Sequence, residues 1–285
     1  MDLLVGSVVL RPYVFLFLAA FLVAAARDLG LRRALTFGAV VWPIAWAAEW
    51  SSINVGIPFG LYRYTGLTRG QELYVAGVPF FDSLSFTFLA YAAYCLARLT
   101  RRGASPPRAL PSAPFRRSSL ACGSLLTASP QDSIAPTKPA LGSICATAVV
   151  AGFFMMMLDV VIDPVAVRGG RWFLGDLFYY PNGGVYFGVP LSNFAGWWLV
   201  GAIGVFAYEA CARAGRPREG GRVGAGIALY YAVFVFNLAV TGWIGEWKLA
   251  AVGFALHALM ALPIAAVASR APRRSVLDAR RVERA

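Results

Sequence analysis

The sequence predicts an all-α polytopic integral membrane protein of about seven transmembrane helices with an internal helix-loop-helix duplication. Three observations lead there. Of the 285 residues, 59% are hydrophobic and only 14% charged, with a mean hydropathy of +0.63, a composition that a soluble domain of this size does not carry. Apolar runs near 12–27, 34–50, 75–97, 144–163, 190–212, 223–241 and 249–269 approach or exceed the roughly 20 residues that a helix needs to cross a bilayer. Two stretches, 49–86 and 159–197, share a layout: Glu49 precedes Pro79 by 30 positions and Asp159 precedes Pro190 by 31, and three residues after each proline stands Asp82 or Asn193.

Taken in order, residues 1–98 are expected to hold the first three helices. Ala24-Ala-Ala26 looks like a leader cleavage site, but the start is not basic and cleavage would strand Arg27, Arg32 and Arg33 outside. An uncleaved first helix is the expectation. The second run carries Trp42, Pro43 and Trp46 and ends on Glu49-Trp50; a proline inside a membrane helix is tolerated where neighbours satisfy the freed carbonyl. Residues 51–74 are rich in Gly, Pro and Tyr, which suggests a folded or re-entrant connection. Residues 99–142, with Arg101-Arg-Gly-Ala-Ser-Pro-Pro107 and Ser129-Pro-Gln-Asp-Ser133, read as a disordered basic cytoplasmic linker. Residues 143–270 are expected to hold four more helices around a second outer connection at 165–189, and 271–285 a charged cytoplasmic tail.

The net charge of +12 suggests nucleic acid only until its distribution is read. Arg27, Arg32 and Arg33, the basic residues between Arg98 and Lys138, those between Arg213 and Arg222, and the tail arginines all fall on alternate connections. Basicity therefore reports topology: a multi-pass protein of the cytoplasmic membrane, amino terminus outside and carboxyl terminus inside, in contact with the bilayer and not with nucleic acid. The four cysteines form no C-x-x-C pair and are expected to be reduced and structural.

Glu49, Asp82, Asp159 and Asp163 all fall at predicted outer ends of helices. Ionisable groups at that depth are costly and mark function by default, although helix capping at the headgroups would also place them there. Asp159 and Asp163, four apart, share one helix face, where two carboxylates repel and one is expected to keep its proton. Asn193 and Asn237 suit either the orientation of water or carboxyl groups or plain interhelical hydrogen bonding. His257 stands alone in mid-helix without a second metal-ligating partner, so no metal site is expected.

These motifs resemble a family of carotenoid-biosynthesis membrane proteins that includes carotenoid 1,2-hydratases and the bisanhydrobacterioruberin hydratase. The residues that carry the resemblance are Glu49, Gly56-Ile-Pro-Phe-Gly-Leu-Tyr-Arg-Tyr-Thr65, Gly77-Val-Pro79, Leu158-Asp-Val-Val-Ile-Asp-Pro164 and Tyr186-Phe-Gly-Val-Pro-Leu-Ser-Asn-Phe-Ala-Gly-Trp197, which span about half of the chain. Val55 and Phe86 stand where the family pattern has Thr and Trp. The resemblance implies addition of water across the terminal double bond of an acyclic carotenoid such as lycopene, giving a tertiary alcohol.

The residue types suit that chemistry. Protonating an isolated alkene needs a positioned carboxylic acid, Asp159 or Glu49, with Asp82 in the same set. A tertiary cation is stabilised by aromatic faces such as Trp50, Tyr62, Tyr64, Tyr186 and Trp197, and Asp163 with Asn193 would orient or deprotonate water. No metal or redox cofactor is required. The partners expected are the carotenoid, water, the lipid bilayer and other enzymes of the same pathway. Two alternatives use the same groups: an end-group cyclase or isomerase, which loses a proton in place of gaining water, and a proton-coupled transporter or lipid-binding membrane protein.

Overall fold

The computed structural model describes residues 2–104, 141–212 and 223–270. Eight α-helices account for most of them: α1 (Leu3–Leu10), α2 (Pro12–Asp28), α3 (Leu31–Val55), α4 (Phe80–Ala104), α5 (Leu141–Ala166), α6 (Leu191–Ala212), α7 (Gly224–Trp243) and α8 (Trp247–Arg270). Each of the seven apolar runs falls on one of α2–α8. The expected linker is described only at its two ends, where α4 runs on to Ala104 and α5 starts at Leu141; the rest of it and the tail at 271–285 lie outside the described residues.

Seven spans were expected, and composition narrows that number. Among the described residues, α4 to α8 are long and apolar enough to cross a membrane, and α1 with α2 makes a sixth if the pair, bent by 92°, is taken as one span. Pro12 at the first position of α2 sets that break, since its ring fixes φ and it has no N–H to give to α1. α3 has 25 residues, about 37 Å of helix, but its tryptophans, Pro43 and Glu49 dilute its apolar character.

α4 and α5 form the centre. In α4, 78% of the apolar span is buried against protein, compared with 28% in α8, so α8 faces outward. α5 and α6 approach closely because glycines face each other: a Cβ on Gly152 would lie 2.3 Å from the Trp198 carbonyl oxygen, and one on Gly201 2.8 Å from Met155 Sδ. Small residues at such crossings let backbones meet where lipid supplies no hydrophobic drive.

The two outer connections are folded. In the first, β2 (Tyr74–Val75) and β3 (Val78–Pro79) close a hairpin through Ala76 and Gly77, both at positive φ as a tight two-residue turn requires. β1 (Arg63–Tyr64) pairs antiparallel with β4 (Phe178–Tyr179) of the second connection, and Thr65 N–H donates to the Leu177 carbonyl at 2.9 Å. The connections therefore join into one cap over the end of the bundle.

Candidate functional site

Glu49 belongs to the buried stripe of α3 formed by Ala34, Phe37, Val41, Ala45, Glu49 and Ser52, the three-and-four spacing of one helix face. It is 5% exposed, and its Oε2 has no hydrogen-bond partner among the described residues. Beyond it, Ser52 Oγ accepts from the Phe59 N–H at 3.0 Å and ties the start of the first connection back onto α3.

Asp159 and Asp163 lie one turn apart on the buried face of α5. Asn193, in the first turn of α6, donates its Nδ2 to Asp159 Oδ2 at 2.6 Å, and the Tyr180 hydroxyl donates to Asp163 Oδ2 at 3.2 Å. Asp159 Oδ1 has no hydrogen-bond partner among the described residues.

Asp82, in the first turn of α4, accepts from Arg11 Nη1 at 3.1 Å. Arg11 sits in the α1–α2 break, and its Nε and Nη2 also grip Glu72 of the first connection at 2.6 and 2.8 Å. Removing a guanidinium from water is expensive unless carboxylates satisfy it, and here two do.

These groups surround a cavity enclosing about 870 Å³ of empty space, part of it open to the outside. Glu49, Asp82, Asp163 and Asn193 supply its polar wall, with Asn237 from α7 opposite. Much of the rest is aromatic, with aliphatic side chains such as Leu89, Ile162 and Val233 among the rings. Trp197 lies flat on Phe86, with centroids 4.3 Å apart and planes 15° apart, and Phe59 leans on both. Tyr62, Tyr64, Phe178 and Tyr180 pack edge to face beneath the cap. Burial first, and then the Glu49 charge, raise the phenols of Tyr62 and Tyr64 well above the ordinary range; burial and then the Asp163 charge do the same for Tyr180. All three therefore remain O–H donors at physiological pH.

Of the residues singled out from sequence, Glu49, Asp82, Asp163, Tyr62, Tyr64, Asn193 and Trp197 meet on this wall. Asp159 lies behind it, fully buried, and reaches the site through Asn193. Two expected wall residues are elsewhere. Trp50 is 45% exposed, because it follows Glu49 by one position and a helix turns about 100° per residue, so its ring points outward. Tyr186 packs between Phe187 and Phe194 and is not part of the wall; burial and then the Asp159 charge push its phenol up to about 12. His257 stacks on Phe234 at 3.9 Å, and its Nδ1 meets the Gly253 carbonyl at 3.0 Å.

Sequence reasoning did not assign Arg11, Glu72 or Tyr180 to the site. A signal existed for the first: a lone arginine between two apolar runs has to find carboxylates.

No curated protein and no solved structure matches the chain. A family model for carotenoid biosynthesis proteins matches residues 10–260, a region that contains every cavity residue described above. The chain therefore belongs to the carotenoid biosynthesis protein family.

Proposed function

We propose that the protein is a carotenoid hydratase, adding water to the terminal double bond of an acyclic carotenoid to give a tertiary alcohol. The observation that carries this reading is the cavity itself: an aromatic hollow in a membrane bundle whose polar wall includes a buried glutamate, Glu49, with an unpartnered carboxyl oxygen. An apolar substrate drawn from the bilayer finds apolar walls there, and its end group meets an acid.

Glu49 gives its proton to carbon 2 of the alkene, and the π electrons form the new C–H bond. The cation left at carbon 1 is tertiary and faces the rings of Phe59, Phe86 and Trp197. Water adds to it, and Asp163, held by Tyr180 and one turn from Asp159, orients that water. The joined connections limit water to the amount the reaction uses, which matters because bulk water levels the strength of any acid. In this reading the cap faces the outside and the carboxyl terminus the cytoplasm, in accord with the distribution of basic residues.

Expression in cells that accumulate lycopene tests the proposal. The expected result is a pigment heavier by one water, with its chromophore length unchanged. A pigment of unchanged mass and shorter chromophore would identify cyclisation, and unaltered pigment would leave no hydratase.

A further inference from the structure

Arg11 is 1% exposed and holds both Glu72 and Asp82, but not Glu49. A guanidinium stays charged at any physiological pH, and its charge favours the ionised form of a carboxyl it bridges. Glu49, on the neighbouring helix, forms no ion pair among the described residues, and the Arg11 charge reaches it only through space. The other titratable groups that face Asp82 are Glu49 of α3, Asp163 of α5, Tyr13 of α2, and Tyr62, Tyr64 and Tyr74 of the first connection. The Tyr64 hydroxyl interacts with both the Asp82 and the Glu49 carboxyls.

We infer that Arg11 is a positioning residue that divides the labour of the first hairpin: it keeps Asp82 a carboxylate to take the proton of the incoming water, and leaves Glu49 to donate one to the alkene. This inference rests on the hydratase reading. The balance closes over one turnover. Glu49 loses a proton to carbon 2, the water oxygen bonds to carbon 1, and the resulting oxonium passes its extra proton to Asp82. Transfer from Asp82 through the Tyr64 hydroxyl returns that proton to Glu49. The alkene has then gained H and OH, and the enzyme is unchanged.

Infrared spectroscopy of the purified protein in lipid nanodiscs separates protonated carboxyls from carboxylates without any substrate. The expected pattern is that Glu49→Gln removes a protonated-carboxyl band and Asp82→Asn removes a carboxylate band. Arg11→Gln is expected to add a protonated band, which disappears again when Asp82→Asn is introduced alongside. Arg11→Lys, which keeps the charge but not the fork, is expected to retain the wild-type spectrum.

Measured in parallel, hydration should fall by about a hundredfold or more in Arg11→Gln and recover in part in Arg11→Lys, the scale of a lost general base. An Arg11→Gln spectrum identical to wild type, or loss of a protonated band in Asp82→Asn, overturns the division. Should Arg11→Gln fail to fold, the Asp82→Asn and Glu49→Gln spectra decide alone. The two readings fail separately: the predicted bands in a protein that hydrates no acyclic carotenoid remove the reaction, and hydration without those bands removes the role of Arg11.

Discussion

The hairpins α3–cap–α4 and α5–cap–α6 place their polar residues at matching sequence positions yet bond them differently. In the second, the residue three after the proline is an amide, Asn193, and it turns inward to bond Asp159, the acid that opens the hairpin. In the first, the corresponding residue is a carboxylate, Asp82. It has no hydrogen to offer Glu49 and turns to Arg11 instead. The second hairpin therefore closes on itself, with Asp159 sealed behind the wall, while Glu49 of the first keeps an open carboxyl oxygen at the cavity. One exchange of amide for carboxylate separates an acid bonded within its own hairpin from one left open at the cavity.

The largest effect that would break or sharpen this comparison is on turnover. Glu49→Gln removes the proposed proton donor and is expected to lower hydration by about two to four orders of magnitude, the usual contribution of a general acid. Asp159→Asn leaves an oxygen to accept from Asn193, so the loss there is expected to be only about tenfold, or about 1.4 kcal/mol. Pigment analysis of cells expressing each variant at equal levels measures both. Equal losses would mean that open and sealed acids contribute alike, and the distinction between the hairpins would fall.

The next effect is on stability. Asn193→Ala strips Asp159 of its donor and leaves a buried carboxyl with neither oxygen satisfied, at a cost of about 1–3 kcal/mol. Denaturation of the purified protein in detergent would show it as a lowered midpoint. Tyr64→Phe removes a hydroxyl from the half-buried cap and is expected to cost less stability than that. Its signature is kinetic: if Tyr64 returns the proton to Glu49, the first turnover proceeds at the wild-type rate and later ones slow. Single-turnover and steady-state rates measured side by side distinguish the two.

How far the sequence reaches is visible in these same residues. Apolar runs long enough to cross a bilayer located α2 to α8, because that signal is carried by composition alone. The position of Glu49 on a buried stripe was legible too, since Phe37, Val41 and Ala45 precede it at helical spacing. The same spacing excludes Trp50 from the cavity; treating the pair as a unit ignored the turn of the helix between them. The pairing of β1 with β4 was not legible, because two-residue strands have no period to read and their partners lie more than a hundred positions apart. Nor was the Arg11–Glu72–Asp82 cluster, which depends on the 92° break between α1 and α2. The sequence carries no distance from which the partners of Arg11 could be found.

The smallest expected effect lies at the rim of the second hairpin. Glu246, in the turn between α7 and α8, accepts from Arg171 and lies 3.1 Å from Arg168 Nε, so it fastens the second connection to that turn. Burial alone would raise its carboxyl, but the two guanidiniums outweigh burial and hold it below its ordinary value of 4.5. A carboxyl depressed in the folded state stabilises that state above its unfolded pKa, and the contribution disappears as pH falls through the folded value. The wild-type melting temperature is therefore expected to exceed that of Glu246→Gln at neutral pH and to approach it as pH falls below 4.5. The neutral-pH gap should be under about 1 kcal/mol, because the pair is partly exposed, and it should shrink further with salt. The first connection is fastened by Arg11 and Glu72, which are fully buried, and no comparable salt dependence is expected for Glu72→Gln. Equal salt sensitivity in the two variants would show that the caps of the two hairpins are held in the same way, and the asymmetry between them would then be confined to Asp82 and Asn193.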